Sequence, residues 1–126
     1  MTINFKDALG VHGDALHVRA ERTKVLAANI ANESTPGYTA RDLDFGAVMQ
    51  ERAAADADAA AGDGFLSLDS SAETLYRVPF HPSADGNTVE IGIEQAAFSQ
   101  NASDFQTSLT FINMKLRGLA KAIQGQ

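Results

Sequence analysis

Apolar side chains recur along the last third of the chain every seven residues, at Ile91, Phe98, Phe105, Ile112 and Leu119. A companion line at Ala102, Leu109, Leu116 and Ile123 runs three or four residues away, and Gln95 is its one polar intruder. Two such lines make one stripe on a helix, the pattern of a coiled-coil seam. A helix over Thr88–Ile123 would be about 54 Å long at 1.5 Å per residue. A compact domain of 126 residues cannot enclose that seam, so the helix needs a comparably long partner. The candidate within the chain is Asp7–Asn32. There Leu9, Leu16, Ala20, Thr23, Ala27, Ile30 and Ala31 share one helical stripe, while Val11, Val18 and Val25 line up on nearly the opposite side. Arg19, Glu21, Arg22 and Lys24 occupy the flanks. Two apolar faces suggest two neighbours, both within the chain or one of them from another chain.

The pattern therefore predicts a mostly α fold. Long N- and C-terminal helices pair, parallel or antiparallel, as an elongated coiled-coil-like bundle around a loop-rich middle with short extended segments. The boundaries fall at 1–34 for the N-terminal core helix, 35–87 for the middle and 88–126 for the C-terminal core helix, all in one elongated unit. Ile91, Phe98, Phe105, Leu109, Ile112, Leu116, Leu119 and Ile123, with Leu16 and Ile30, form the candidate assembly seam.

The first helix has a sharp end. Pro36 lacks an amide hydrogen and pushes Thr35 out of the α region. Pro36 and Gly37 suit the central positions of a type II turn, where the second needs φ > 0. Asn29 and Asn32, three apart on the last turn, carry amides that can bind freed carbonyls or a partner's backbone. Asp42 or Asp44 is placed to cap a short helix through about Ala55, with Phe45, Val48 and Met49 as its apolar side. Ala53–Gly64 is low in complexity and has no apolar face that would fix it. Leu66–Leu68 and Leu75–Phe80 read as short extended pieces, with Pro79 and Pro82 barring a central strand. Asp85-Gly86-Asn87 reads as a turn. Asn87 with Glu90 resembles a capping box for the last helix, although Val89, Ile91 and Ile93 alternate and also suit extended chain. Met1–Lys6 shows neither caps nor periodicity and reads as frayed.

Composition narrows the chemistry. A net charge of −6 without a basic cluster argues against nucleic acid as a partner. The absence of cysteine excludes a disulfide framework and thiolate chemistry, and suits an oxidising compartment. No run approaches the roughly 18 apolar residues of a membrane span. The first twenty residues hold no apolar h-region with a cleavage site, so no cleaved signal peptide is expected, and export would need another route. His12 and His17 lie about 140° apart on a helix and cannot share a metal as an i, i+4 pair would. His81, between Phe80 and Pro82, has no acidic neighbour in sequence. Asp42 and Asp44 are explained by capping and hydration, no serine sits in a glycine-flanked elbow, and no phosphate loop is present. The Asn32-Glu33-Ser34 sequon is uninformative without a secretory signal. No catalytic, cofactor-binding or metal-binding residue is assigned, and the chain is not expected to be an enzyme.

Three blocks carry a family resemblance: Asn29-Ile30-Ala31-Asn32, then Thr35-Pro36-Gly37-Tyr38, then Arg41-Asp42-Leu43-Asp44-Phe45. Together they resemble the N-terminal signature of bacterial flagellar axial proteins, and the Arg-Asp-x-Asp-Phe ending resembles the proximal rod members. Leu75-Tyr76-Arg77-Val78-Pro79, followed by Pro82 and by Asp85-Gly86-Asn87-Thr88-Val89, matches the same proteins. The resemblance implies a signature turn at Asn29, Asn32, Thr35, Pro36, Gly37, Tyr38, Arg41, Asp42 and Asp44. It implies a structural subunit of the basal-body rod that polymerises through its terminal helices into an export channel and drive shaft. The partners it implies are other rod proteins, the MS-ring with its adaptor FliE and the flagellar type III export gate, with no nucleic acid and no small-molecule ligand. Phe45-x-x-x-Met49 is similar to the motif by which early rod subunits dock on that gate, and Phe5-x-x-x-Leu9 fits the same loose pattern. The reading from another class is a soluble coiled-coil adaptor or export chaperone that never polymerises. Fractionation separates the two, into detergent-resistant basal bodies or cytosol.

Overall fold

The computed structural model describes residue 9 and residues 11–58 and 73–125. Met1–Lys6, Phe5 of the second docking pattern, Leu66–Leu68 and the second half of Ala53–Gly64 lie outside the described residues. The elements are α1 (Val11–Ala31), β1 (Arg41–Leu43), α2 (Phe45–Asp58), β2 (Thr74–Tyr76) and α3 (Ile91–Gln124). The mostly α fold with paired terminal helices is as the periodicity predicts.

The pair is antiparallel. Asn29 meets Glu94, Thr23 meets Asn101, Arg19 meets Asp104, and His12 stacks on Phe111 with ring centroids 5.4 Å apart. As α1 is read backwards, α3 is read forwards. With 34 residues in α3 and 21 in α1, α3 runs on past the described part of its partner. Its C-terminus closes on Gly125, whose φ of 70° places it in the left-handed region and whose N–H donates to the Lys121 carbonyl.

α1 leaves its axis through the expected turn. Tyr38 N–H donates to the Thr35 carbonyl, and Gly37 takes φ 72°. A second turn, Ser83–Gly86, abuts it: Gly86 has φ 76°, and a Cβ there would lie 3.8 Å from the Gly37 Cα. The Gly37 N–H donates to the Asp85 carbonyl, fastening the two turns together. Beyond them β1 and β2 pair antiparallel, Arg41 opposite Tyr76 and Leu43 opposite Thr74. Asp44, not Asp42, caps α2: its carboxylate accepts the Ala47 N–H at 3.1 Å.

Among the described residues the buried apolar set is small: Ala15, Val18, Leu26, Ala40, Leu43 and Val48. It corrects the helix faces read from hydropathy. On α1 the inward line is Ala15, Val18, Leu26 and Asn29; Val18 is fully buried rather than on an outer face, while Ala27 and Ala31 are exposed. Leu16 and Ile30 are half-buried. On α3 the deepest residues are Glu94, Asn101 and Ser108, a heptad line of polar side chains. That line lies three residues after Ile91, Phe98 and Phe105, on the other shoulder from Ala102 and Leu109. Polar partners on α1 set this rotation: the Asn101 amide donates to the Arg19 carbonyl and to Thr23 Oγ1, both at 2.9 Å. The apolar companion line thus faces away from the intrachain contact. Ala102, Leu116 and Ile123 are exposed, and Leu109 is half-buried.

The expected capping box is also absent. α3 begins at Ile91 with Glu90 as N-cap and no side-chain cap bond, because both side chains are engaged elsewhere. Glu90 accepts N–H bonds from Phe80 and His81, and His81 Nδ1 lies 3.2 Å from the same carboxylate, so His81 does have an acidic partner.

Leu26 sits with no exposure between α1 and α3, whereas Leu116 is 40% exposed. Leu26→Ala should destabilise the subunit by about 2–5 kcal/mol, and Leu116→Ala by no more than about 1 kcal/mol. Urea unfolding followed by circular dichroism measures both.

Candidate functional site: a buried polar lock and an outward stripe

The residues of the turn signature converge at one end of the helical pair. Asn29, on the last turn of α1, is fully buried. Its side chain treats the chain at Arg41 as a strand would: Nδ2 donates to the Arg41 carbonyl at 2.6 Å and Oδ1 accepts the Arg41 N–H at 3.1 Å. Nδ2 also donates to Glu94 at 3.0 Å, and Tyr38 Oη donates to Oδ1 at 3.4 Å. One amide therefore joins α1, β1 and α3. Asn32 acts more locally, donating to the Ala28 carbonyl and accepting from Thr35 Oγ1.

Asn87 works from the other turn. Its Nδ2 lies 2.8–2.9 Å from the carbonyls of Asn32, Glu33 and Thr35, in the turn that follows α1. The turn is held across more than 50 residues of sequence, by a side chain whose Oδ1 also accepts the Val89 N–H.

Glu94 has no exposure, so its carboxylate needs partners. Arg77 supplies one at 2.7 Å, and its other terminal nitrogen donates to Asp42. Asp42 in turn takes a two-pronged contact from Arg22, 2.8 Å at each oxygen. The chain Arg22–Asp42–Arg77–Glu94–Asn29 ties α1, β1, the residue that follows β2, and α3. Burial raises the Asp42 pKa, but the hydrogen bonds from Arg22, the Leu43 N–H and Arg77 outweigh it and hold the carboxyl below its ordinary value. Arg22 is raised, first by its hydrogen bond to Asp42 and against its own burial. Of the lock, Asn29, Asp42, Arg41 and Tyr38 belong to the signature noted in the sequence. Arg22, placed on a flank by helical periodicity, and Arg77, Asn87 and Glu94 were not singled out for it. The seven-residue spacing of Glu94, Asn101 and Ser108 was the legible signal.

The two residues of the docking pattern lie one turn apart on α2. Phe45 is half-buried under the Arg19 guanidinium, 4.2 Å from the ring centroid, and Met49 is half-buried too. Of the seam, Ile91, Phe98, Phe105, Ile112 and Leu119 are half-buried, while Leu116 and Ile123 are exposed.

Among the described residues, no group of three or more histidine, cysteine or acidic side chains is set to hold a metal. An open depression of about 540 Å³ beside α1 is lined by Lys24, Val25, Ala28, Tyr38, Thr39 and Arg41 among others, with neither a carboxylate nor an imidazole. No helix of the described residues is long and apolar enough to cross a membrane.

The chain matches the family model for flagella basal body rod proteins over residues 9–39, which takes in α1 and the Pro-Gly turn. It is 44% identical to the flagellar basal body rod protein FlgB of Cereibacter sphaeroides, over 97% of this chain and 98% of that one. It is 41% identical to FlgB of Aeromonas hydrophila, over 100% and 99% of the two chains. FlgB of Escherichia coli K12 is 36% identical over 93% of each.

Arg77→Ala should cost about 3–5 kcal/mol, because it strands the Glu94 carboxylate in the interior. Combining it with Glu94→Leu should recover part of the loss, read from paired denaturation curves. The depressed Asp42 pKa gives a pH dependence of known sign. Its contribution is complete above the unfolded carboxyl value, about 3.9, and disappears as pH falls through the lower folded value. Acid unfolding curves of Asp42→Asn should lack that component.

Proposed function

This chain belongs to the FlgB family of flagellar basal body rod proteins, and we propose that its subunits join through the outward apolar stripe of α3. It is a structural subunit of the rod, a helical motility protein of the flagellar basal body that assembles with other rod components. The reading of how it does so rests on one observation. On the apolar line Ala102, Leu109, Leu116 and Ile123 only Leu109 is half-buried, and Leu116 and Ile123 lie where α3 runs past the described part of α1, leaving the distal part of the line open to a neighbour. A contiguous exposed apolar strip on a small soluble domain marks an interaction surface. Burying it at about 25 cal/mol per Å² would order the exposed end of the helix as the rod forms.

The proximal position in the rod, contact with FliE and the MS-ring, and passage through the type III export gate without a cleaved signal peptide belong to the same reading. The docking motif in this reading is Phe45 with Met49, and Phe5 with Leu9 is the alternative. The Phe45 and Met49 side chains are both half-buried in the folded subunit, which supports a docking step made by the extended chain before the subunit has folded. The signature turn acts indirectly, by aiming β1 and α2 correctly relative to α1.

Leu109→Asp should leave the monomer's helical circular dichroism within experimental error, since Leu109 is not part of the intrachain core. It should abolish incorporation into detergent-resistant basal bodies and motility. Gly37→Val should also block assembly, through a strain of roughly 1–3 kcal/mol at φ 72°. Normal basal-body yield with Leu109→Asp would refute the stripe as the interface, and recovery of the wild-type chain only from cytosol would refute the rod assignment for this chain.

A further inference from the structure

The two edges of the small sheet differ. Arg41 lies opposite Tyr76, and the Arg77 N–H donates to the Ala40 carbonyl, so the backbone groups of Leu75 and Arg77 face β1. Those of Thr74 and Tyr76 on β2, and of Arg41 on β1, point outward. The β1 edge is closed, because the Asn29 side chain takes both the N–H and the carbonyl of Arg41. On β2 no described group pairs with the outward N–H and carbonyl of Thr74 and Tyr76. An unpaired edge is a template for a further strand.

Side chains along this edge are apolar and open. Leu75 is 52% exposed, Tyr76 64% and Val78 85%. The cations beside it are Arg41, whose guanidinium lies 5.0 Å from the Tyr76 ring centroid, and Lys24, which lines the open depression beside α1 together with Arg41 and Thr74. Arg77 is taken by Asp42 and Glu94, and those carboxylates by Arg77, Arg22 and Asn29. Of the other acids on these elements, Asp44 caps α2, Glu90 binds the Phe80 and His81 N–H groups, and Asp85 binds Ser83 and Asn87. Glu21 lies 3.8 Å from His17, and Glu73 is exposed just before β2. Edge-to-edge pairing of two copies centred on Tyr76 would set two Arg41 guanidiniums on one sheet face, which like charge disfavours. The edge suits an apolar, extended occupant that carries a carboxylate.

We propose that residues 65–69 of this same chain, Phe65-Leu66-Ser67-Leu68-Asp69, add to β2 as a third, antiparallel strand. The stretch outside the described residues, 59–72, ends directly at Glu73 and β2. It contains Asp63 and Asp69 and no lysine or arginine. With residues 70–73 as a four-residue hairpin connection, Asp69 falls opposite Thr74, Ser67 opposite Tyr76 and Phe65 opposite Val78. That register meets the outward groups of β2 in phase. It also puts Asp69 on the sheet face of Arg41, beside the depression that Lys24 lines. Being adjacent in sequence, the segment reaches the edge with little loop-closure cost, whereas a strand from another chain bears the full cost of association. The contact is independent of the rod reading. Its effect is to shield an apolar edge that would otherwise recruit strands of other chains.

Residue-resolved amide exchange of the full-length protein reads this edge directly. The Thr74 and Tyr76 amides should exchange at least about tenfold more slowly than in the Leu66→Asp/Leu68→Asp variant. The Leu75 and Arg77 amides, which face β1, should stay unchanged, and helical circular dichroism should be retained. The chain has no cysteine, so introduced thiols report the register. Leu68→Cys/Leu75→Cys places two thiols on one face at a close, non-hydrogen-bonded pair. It should form an intramolecular disulfide at least about tenfold faster than Leu68→Cys/Tyr76→Cys, whose side chains lie on opposite faces. Thr74 and Tyr76 amides that exchange as fast in the wild-type chain as in the variant overturn the proposal, leaving the edge bare or to another protein. Protection that appears only at high protein concentration, with disulfides formed between chains, assigns the edge to a second copy and overturns it too. Equal rates for the two cysteine pairs overturn the register and the strand with it.

Discussion

A carboxylate without access to water, that of Glu94, governs how the pieces of this chain are joined. An ionised group in the interior is tolerated only with a close cation and hydrogen bonds to its remaining lone pairs. Arg77 comes from the middle of the chain and Asn29 from the end of α1, so satisfying Glu94 brings three distant stretches to one point. Asp42 and Arg22 continue the chain of charges back to α1. The network is a specificity device more than a source of net stability, because a hydrophobic replacement of the same volume would cost little. Its effect is to fix the rotation of α3 about its own axis: with Glu94 and Asn101 turned to α1, Ala102 and Leu109 must turn away.

That rotation divides the hydrophobic surface between two purposes. Among the described residues the buried apolar side chains are few. The remainder of the apolar pattern runs along one shoulder of α3 and over its distal end. A rod subunit benefits from both features. In the assembly proposed above, that remainder would be covered by neighbouring subunits. The Pro-Gly turn and Asn87 act as alignment within the subunit, holding the middle segment at a set angle to the helical pair.

Much of this was legible in the residues. The seven-residue repeat from Ile91 gave α3, and Thr35-Pro36-Gly37-Tyr38 gave the turn with φ > 0 at Gly37. Asp44 was one of two candidate caps for α2 and is the one used. The failures share a cause. Hydropathy ranks positions by how well they suit a nonpolar interior, and here the interior of the helix pair is polar. Glu94 and Asn101 carry no hydrophobic signal, so α3 was read in the neighbouring register, and Val18 was read on the face opposite Leu16 and Ile30. The Asn87–Glu90 spacing imitated a local capping box, but Asn87 reaches carbonyls more than fifty residues earlier. Contacts of that range leave no periodic trace in sequence. The signature residues Asn29 and Asp42 marked the site, yet their partners Arg22, Arg77 and Glu94 became visible only when the fold brought them together.

Amide hydrogen exchange of the isolated, full-length subunit tests the central claim, that a polar lock organises one end while the other is held open for assembly. Protection should be greatest across Leu26–Ala31, Ala40–Leu43 and Ile91–Ser108, and should fall steeply beyond Phe111, where the described residues of α1 no longer cover α3. In Glu94→Gln, which keeps the shape but weakens the ion pair to Arg77, protection in all three lock segments should drop together. Uniform protection through Ile123, or loss confined to the neighbourhood of residue 94 in the variant, would contradict the account.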